Sequence, residues 1–518
     1  MPADGSSGSA SGVYTCSKLK LDSLFLRWFS LPESQELVLQ LLESIRTGQG
    51  HHRGAHRSVA TPSQLHSSTP PVSPRKGSSQ MRYDHHWNRY VGHVAQSPKS
   101  SAFSPSKVQV DVENRIPRFY FPEKDMPFNN DRINSRVNEF LRPFGEGLPL
   151  VALKTLLREI FGLPVSLGFS LHRKIASLSE NVLPVSGLLD WFASSGFSSS
   201  SQEKRLFDIL RSPSCDFITP DDLRPTILGI IVSHPGLAFL KGASEFQDRY
   251  AETVIYRIFY SLNPSGANRL SLRDIKKGKL LQSLLEVESE EDVNQCTRFF
   301  SYEHFYVIYC KFWDLDTDHD FLLSRDDFLR YGNHSLTYRV ADRIFDGAAR
   351  PLSSGVPNKM GYEDFVWFIL SEEDKTSDTA LQYWFRACDL NGDDKLTQDE
   401  LLWFYEEQIS RMECLSQETV AFDDIMSQMV DMINPKDAFF FTVRDLKNCR
   451  LLAGILFNVM FNLSKFVAFE MRDPFTTKQE REGVSSGLSE WDRYARDEYA
   501  RLAMEDEDME DDGMPWAE

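Results

Sequence analysis

The sequence predicts an all-α fold, an elongated array of paired EF-hand helix-loop-helix units that follows a disordered N-terminal region. An acidic twelve-residue loop with oxygen ligands on alternate residues occurs twice, and hydrophobic residues at helical spacing flank both copies. The same twelve-residue pattern, or frame, recurs elsewhere with its hydrophobic residues but without its acidic residues. We therefore expect a helical repeat in which two loops can hold a metal ion.

The first acidic loop runs from Asp316 to Asp327 and follows an aromatic helical stretch. Oxygen ligands at places 1, 3, 5, 9 and 12, with a backbone carbonyl at place 7, are the arrangement by which an EF-hand surrounds Ca²⁺. An acidic turn that is merely solvated is the alternative, since charge runs are usually exposed. The predicted ligands are Asp316, Asp318, Asp320, Leu322 through its carbonyl, Ser324 and Asp327.

The second acidic loop repeats this spacing from Asp389 to Glu400. Leu381, Trp384 and Phe385 share a helical face before it, and the run LLWFY follows it. Two such loops in one chain are difficult to explain as chance acidic turns, so we expect Ca²⁺ as the cofactor. The predicted ligands are Asp389, Asn391, Asp393, Lys395 through its carbonyl, Thr397 and Glu400.

Both loops depart from the usual pattern at place 6, where glycine is common because φ is positive. That residue is Phe321 in the first loop and Asp394 in the second, and Asp tolerates this conformation better than Phe. At place 12, Asp327 is one methylene shorter than Glu400, which weakens a bidentate grip on Ca²⁺ and lets Mg²⁺ compete better. We therefore predict that the second loop is the more secure calcium site.

Five further frames keep the hydrophobic positions and lack the carboxylate cluster, so they should not bind calcium. Since EF-hands pack in pairs, the first acidic loop should pair with the Ser353–Asp364 frame and the second with the Asn434–Asp445 frame. The three frames that precede the first acidic loop are Ala176–Gly187, Arg211–Asp222 and Asn263–Asp274.

The composition divides the chain into six segments. The second contains an apolar cluster before Pro32 that either docks on another protein or folds back onto this chain's own core. The third is rich in Ser, Pro and His, and its Ser-Pro and Thr-Pro pairs are candidate phosphorylation sites. The segments are 1–18, disordered; 19–45, an amphipathic helical docking segment; 46–110, a disordered linker; 111–285, an N-terminal lobe of degenerate EF-hands; 286–475, a C-terminal lobe with both acidic loops; and 476–518, a helical extension with an acidic tail.

Charge and cysteine content exclude several classes of protein. A net charge of −18 argues against a nucleic-acid or anionic-membrane partner. The seven cysteines are scattered without a CxxC pair, which favours a reducing compartment over a disulfide framework or a zinc site. No run of about twenty apolar residues occurs, and MPADGSSGSASG lacks a charged start followed by an apolar run, so we expect no secretory leader. We expect a cytoplasmic protein, with nuclear or cytoskeletal sites also open.

One fragment invites an enzymatic interpretation, because Gly332-Asn333-His334 begins a motif of metal-dependent serine/threonine phosphatases. That chemistry needs two metals held by His and Asp from several strands. The companion motifs are missing, and no nucleophile elbow, P-loop or HExxH occurs. We therefore predict no catalytic residues and expect His334 to be packed or to cap a helix.

Seven blocks of the chain closely resemble the B-double-prime regulatory subunits of protein phosphatase 2A. Their sequence is most similar to that of the plant-type members. The resemblance runs from about Ile116 to Met504. The blocks are YAETVIYRIFYSLN (Tyr250–Asn263), FFSYEHFYVIYCKFWDLDTDHDF (Phe299–Phe321), RYGNHSLTYR (Arg330–Arg339), KMGYEDFVWFIL (Lys359–Leu370), YWFRACDLNGDDKLTQDEL (Tyr383–Leu401), FYEEQISRMECL (Phe404–Leu415) and FVAFEMRDPF (Phe466–Phe475).

This resemblance implies a non-catalytic subunit that docks on the scaffold (A) and catalytic (C) subunits of protein phosphatase 2A. It also implies selection of phosphoprotein substrates and control of assembly by calcium at the two acidic loops. The apolar cluster Leu24–Phe29 is similar in character to the segment with which such subunits contact the scaffold. The alternative is a stand-alone EF-hand calcium sensor that binds a cytoskeletal or other protein target without a phosphatase.

Overall fold

The structure is a computed structural model that describes residues 130–176, 182–471 and 488–511. The predicted segments 1–18, 19–45 and 46–110 lie outside the described residues, as do residues 512–518 of the acidic tail. Within the described ranges the chain is mostly helical with a few very short strands. The predicted all-α class is confirmed.

The N-terminal half of the described chain alternates helices with short loops. Each helix presents apolar residues at a period of three to four to a common interior. Its elements are α1 (Asn130–Leu141), β1 (Gly147–Pro149), α2 (Leu150–Glu159), α3 (Leu167–Ile175), β2 (Val182–Pro184), α4 (Val185–Ser195), α5 (Gln202–Leu210), α6 (Pro220–Ser233), α7 (Ser244–Leu262), α8 (Leu272–Lys277) and α9 (Leu280–Ser289).

The C-terminal half continues the same alternation and contains both acidic loops. Its elements are α10 (Tyr302–Leu315), β3 (Leu322–Ser324), α11 (Arg325–Phe328), α12 (Tyr331–His334), α13 (Tyr338–Phe345), β4 (Lys359–Gly361), α14 (Tyr362–Glu373), α15 (Asp378–Cys388), β5 (Leu396–Thr397), α16 (Gln398–Cys414), α17 (Phe422–Ile433), β6 (Phe440–Phe441), α18 (Val443–Asn448), α19 (Arg450–Phe461), α20 (Leu463–Glu470) and α21 (Glu490–Asp511).

Antiparallel backbone contacts between loops join the helix-loop-helix units in pairs. In the C-terminal half, Leu323 pairs with Met360 and Leu396 pairs with Phe441, each at place 8 of its frame. These registers confirm the predicted pairing of the first acidic loop with the Ser353–Asp364 frame and of the second with the Asn434–Asp445 frame. Each place-8 side chain is buried between the paired loops.

Two more pairs form the N-terminal half. Ile218 and Leu270 exchange backbone hydrogen bonds of 2.9 and 3.0 Å, which joins the Arg211–Asp222 and Asn263–Asp274 frames. Leu183 of the Ala176–Gly187 frame pairs with Leu148, which lies at place 8 of an additional frame, 141–152. The sequence pattern does not reveal this frame, because its loop keeps none of the ligand residues. The described chain therefore contains four loop pairs.

The buried side chains form one contiguous hydrophobic cluster that extends through both halves. Helix α7 connects them: the Thr253 hydroxyl lies 2.7 Å from the Tyr362 hydroxyl on α14, and the Arg257 guanidinium donates to the Phe299 carbonyl at 2.9 Å. Within the described residues no single helix is both long and apolar enough to cross a membrane; α6 and the 3₁₀ helix after it pass that test only together, across a bend of 97°.

Candidate metal centres in the two acidic loops

The first acidic loop begins directly after helix α10, which lies in the core. The last residue of α10 is Leu315, and Asp316 at place 1 is completely buried. The Oδ2 atom of Asp316 accepts a hydrogen bond of 2.9 Å from the Phe321 backbone N–H, which closes the loop between places 1 and 6. Asp320 at place 5 accepts one of 2.8 Å from the Leu322 N–H. These hydrogen bonds curve the loop backbone around a common centre.

Three carboxylates converge at that centre. One oxygen from each of Asp316, Asp318 and Asp320 lies within 4.8 Å of the others, and Asp318 and Asp320 are exposed. In the part of the chain that the structure describes, no other group of three acidic, His or Cys side chains comes together so closely. Burial and the neighbouring carboxylates raise the pKa of Asp316. Gathered oxygen ligands of this kind suit a hard divalent cation.

The Oδ1 atom of Asp316 provides a direct test of whether a cation fits. This atom is buried and no hydrogen-bond donor reaches it. A buried carboxylate oxygen without a partner costs free energy on the order of 1–3 kcal/mol or more. A divalent cation held by Asp316, Asp318 and Asp320 would remove this cost, so the residues present fit the metal that the spacing predicts.

Two protein cations already contact the rim of this loop. The Lys359 Nζ atom, on the paired strand β4, lies 3.2 Å from Asp320 Oδ2, and Arg330 Nη2 lies 2.8 Å from Asp327 Oδ1. Arg330 also donates to the Leu315 carbonyl. These charges offset part of the repulsion among the carboxylates in the absence of metal. They would also oppose the entry of a divalent cation.

The structure resolves the question that Phe321 raised. Its φ is +61°, so it adopts the left-handed conformation that place 6 requires. Its ring packs on Phe312, with centroids 5.4 Å apart, and the Arg249 guanidinium lies 4.0 Å from the ring centre. His319, at place 4, has φ of +55° and stacks on Trp313 at 4.1 Å. Aromatic contacts therefore hold the two left-handed residues of this loop.

The second acidic loop follows the same backbone path with different residues. Asp389 Oδ2 accepts a hydrogen bond of 3.0 Å from the Asp394 N–H, and Asp393 Oδ1 accepts one of 3.0 Å from the Lys395 N–H. The two left-handed positions are Gly392, with φ of +73°, and Asp394, with φ of +61°. Both are exposed, so no side-chain packing supports this loop at these places.

The additional methylene of Glu400 has a visible consequence. Its Oε1 atom accepts hydrogen bonds from the backbone N–H groups of Leu390 and Asn391 at 2.9 and 3.3 Å. Its Oε2 atom accepts from the Thr397 N–H and hydroxyl at 2.9 and 2.8 Å. Glu400 thus accepts from backbone N–H groups at places 2 and 3 of its loop, whereas Asp327 reaches the start of its loop only through the Thr317 hydroxyl at place 2 and also pairs with Arg330.

The place-12 acid also has a role that is independent of metal. Ser324 with Asp327, and Thr397 with Glu400, form capping boxes at the start of α11 and α16. Three of the frames without a carboxylate cluster do the same at Asp222, Asp274 and Asp445. In one of them the Asp274 carboxylate accepts from the Ser271 hydroxyl at 2.6 Å. An acid at place 12 therefore marks the start of the leaving helix and is not by itself a sign of calcium.

Protein groups satisfy the loops that lack the acidic cluster. In the frame that pairs with the first acidic loop, the Arg350 guanidinium donates to Asp364 Oδ1 at 2.7 Å and both groups are buried. In the Asn263–Asp274 frame, the Asn263 side-chain amide donates to the Arg269 carbonyl at place 7 at 2.8 Å. Arg350 lies outside the twelve-residue frame, so the spacing of residues within the frame does not predict this contact.

All twelve predicted ligand residues lie in the two loops at their expected places. The structure gathers Asp316, Asp318 and Asp320 into one cluster, while Asp389, Asp393 and Glu400 bind mainly loop N–H groups. Leu322 is the first residue of β3, and Lys395 directly precedes β5. Metal binding by these residues, and the higher calcium affinity of the second loop, stay predictions.

The fragment that invited an enzymatic interpretation lies in an exposed turn. Gly332, Asn333 and His334 have φ values of +57°, +56° and +61°. His334 is exposed, so of its two predicted roles, packed or helix-capping, the packed one is wrong; its backbone carbonyl accepts a hydrogen bond from Arg411. These residues form a left-handed kink in the short element α12, a conformation that Gly and Asn favour.

Family models match two regions of the chain. A model described as an EF-hand domain matches residues 201–290, which contain the Arg211–Asp222 and Asn263–Asp274 frames. A second, described as an EF-hand domain pair, matches residues 305–406, which contain both acidic loops. The chain therefore carries EF-hand domains at the places where the structure shows paired loops.

The sequence is similar to named proteins over nearly its whole length. The probable B''delta regulatory subunit of serine/threonine protein phosphatase 2A from Arabidopsis thaliana is 41% identical over 502 residues, which are 94% of this chain and 91% of the relative. The B''beta regulatory subunit of the same phosphatase from Homo sapiens is 34% identical over 522 residues, or 96% of this chain and 89% of the relative. A solved chain from a protein phosphatase 2A holoenzyme is 44% identical, with a TM-score of 0.48, over 51% of this chain and 97% of that chain.

Proposed function

Since this chain belongs to the family of B'' regulatory subunits of protein phosphatase 2A, we propose that it is a calcium-responsive member of the heterotrimeric phosphatase. As a regulatory subunit it is non-catalytic. In this proposal it docks on the scaffold and catalytic subunits and selects phosphoprotein substrates. The observation that carries the calcium part is the buried, donor-free Oδ1 of Asp316 beside Asp318 and Asp320.

The loops connect a metal-binding event to the surface of the molecule through their helices. A bound Ca²⁺ would supply positive charge and accept six to eight oxygen ligands. In the first loop, Asp316 is continuous with α10 and Asp327 caps α11, so ligands at the two ends of the loop belong to different helices. Drawing those ligands together restricts the angle between α10 and α11. A surface built from these helices then becomes more rigid for a partner.

Two further parts of the proposal concern residues outside the described ranges and the cellular location. We assign the apolar cluster Leu24–Phe29 a contact with the scaffold subunit, because it is apolar and separated from the folded lobes by the linker 46–110. We also propose a cytoplasmic location, in keeping with the scattered cysteines; Cys215, Cys296, Cys388 and Cys449 are free thiols.

Affinity purification of the full chain with calcium or with a chelator tests the proposal. We expect the scaffold and catalytic subunits to co-purify and their recovery to increase at micromolar calcium. The double variant Asp316→Asn with Glu400→Gln should abolish the increase. Asp326→Asn with Asp399→Asn is the matched control, because these residues lie at place 11 of the same loops, are exposed and are not predicted ligands.

The outcomes separate the parts of the proposal. Equal recovery in calcium and chelator, for the parent chain and both double variants, would refute the calcium response and leave the subunit role intact. Purification without either phosphatase subunit would instead favour a stand-alone calcium sensor.

A further inference from the structure

Helix α21 is amphipathic, and its apolar face is buried against the lobe that carries the first acidic loop. Its buried residues recur at every third or fourth position, whereas Met504 is 55% exposed. Such spacing is characteristic of a helix that lies in an apolar groove. The buried positions are Trp491, Ala495, Tyr499 and Leu502.

Most of the groove is formed by α10, the helix that enters the first acidic loop. The Trp491 ring packs edge-on against His304 with centroids 5.7 Å apart, and its Nε1 donates to His304 Nδ1 at 3.1 Å. Two turns later, the Tyr499 ring packs edge-on against Tyr306 at 5.3 Å. All four side chains are buried, so α21 closes this face of α10 from solvent.

The contact continues to the last turns of α10. The Lys311 Nζ atom lies 2.5 Å from Glu498 Oε1, and Glu498 also pairs with Arg501 at 2.6 Å on its own helix. Lys311 is five residues before Asp316, which is place 1 of the loop. Helix α21 therefore holds the segment that positions the first predicted calcium ligand.

The opposite side of the groove belongs to the paired hand. Tyr331 donates to Glu373 Oε1 at 2.5 Å, and Glu373 is the last residue of α14, which leaves the Ser353–Asp364 frame. Helix α21 packs on α14, and burial together with the Glu373 charge raises the pKa of Tyr494 on α21. Helix α21 thus contacts the entering helix of one hand and the leaving helix of the other, as a target helix does in an EF-hand groove.

We propose that α21 is an intramolecular ligand of this groove, and that its docking and calcium binding by the first loop strengthen each other. The proposal rests on the calcium binding proposed above for that loop. In the structure, α21 is docked while Asp316, Asp318 and Asp320 are gathered, so one conformation serves both events. Linkage is reciprocal: if docking favours calcium binding, calcium favours docking by the same factor.

The test uses the full chain with Glu400→Gln, so that the first loop alone reports calcium in calorimetry. Adding Trp491→Ala and Tyr499→Ala should weaken binding by about fivefold or more, the usual lower range of coupling between linked sites. Met504→Ala on the exposed side of the same helix is the control and should leave the affinity unchanged. A synthetic peptide of residues 488–511 should restore calcium affinity to the Glu400→Gln chain that carries Trp491→Ala and Tyr499→Ala. The same peptide with both alanine substitutions should not.

Hydrogen exchange provides a second measurement that does not depend on affinity. Calcium should increase amide protection across residues 490–505 in the Glu400→Gln chain, and Asp316→Asn should eliminate that increase. If the Glu400→Gln chain binds no calcium, both this proposal and calcium binding by the first loop fail. Suppose instead that the Glu400→Gln chain binds calcium with the same affinity after the two alanine substitutions, and that calcium does not change amide exchange in α21. Only the linkage is then refuted.

Discussion

The two acidic loops share one backbone path and differ in how their carboxylates are satisfied. In both, place 1 accepts from the N–H of place 6, place 5 accepts from place 7, and place 12 caps the leaving helix. In the first loop this path leaves Asp316 Oδ1 without a donor, whereas in the second Asp389 Oδ1, at the same place, accepts from the Gly392 and Asp393 N–H groups at 2.7 and 3.3 Å. The twelve-residue frame thus determines the backbone path of the loop, and individual side chains determine the charge around a bound cation.

The comparison separates two ways of preparing a loop for metal. The first loop concentrates charge around a buried carboxylate and uses aromatic packing to hold its strained positions. The second has exposed residues at those positions and a longer place-12 acid. We expect the first loop to be better preorganised and the second to have the better bidentate ligand. Separate perturbations of each loop can show which property dominates calcium affinity.

The largest effect is expected from the place-12 ligand of the second loop. Glu400→Gln keeps the shape of the side chain and removes its charge. Loss of a residue that only supports a metal ligand costs about 10–100-fold in affinity, so loss of a direct carboxylate ligand should cost at least about tenfold. Calorimetric titration should show the tighter calcium event disappearing. An unchanged titration would show that this event belongs to the first loop.

Substitution at place 6 should affect the two loops differently. Phe321→Gly removes a half-buried ring and its contact with Arg249, which costs more than the relief of left-handed strain returns, so we expect a loss of about 1–2 kcal/mol in the free energy of unfolding. Denaturant unfolding measures it. A stabilised Phe321→Gly protein would contradict the packing role assigned to the ring.

Asp394→Gly is the matched change in the second loop. Because Asp394 is exposed and tolerates positive φ, its free energy of unfolding should change by no more than about 0.5 kcal/mol. The same denaturant experiment applies. A loss as large as that of Phe321→Gly would show that place 6 matters through its backbone and not through its side chain.

The smallest effect should come from the cation on the rim of the first loop. Lys359→Gln removes a charge 3.2 Å from Asp320, and an exposed pair of this kind contributes about 0.2–1 kcal/mol. Calcium affinity of the first loop should therefore rise by no more than about fivefold, and the gain should shrink at high salt. An affinity gain in the second loop instead would identify a general charge effect. Lys241→Gln, an exposed substitution far along the chain, controls for net charge.

The sequence predicted most of the helical repeat, because ligand spacing, place-8 hydrophobics and capping residues are all local. The loops, their ligand residues and the two C-terminal pairings follow from such short-range patterns. The frame at 141–152 escaped detection since Leu148 is its only recognisable feature without the ligand places. The expectation that His334 is packed failed because a motif fragment says nothing about whether a turn is buried.

The amino-acid sequence alone determined where each twelve-residue loop begins and which oxygens it offers, since those follow from residues a few places apart. Tertiary structure decided what each oxygen contacts. Arg249 reaches Phe321 from α7, Arg350 reaches Asp364 from outside the frame, and α21 covers α10 across more than 180 residues of chain. These contacts depend on how distant helices pack, and no local pattern records that packing.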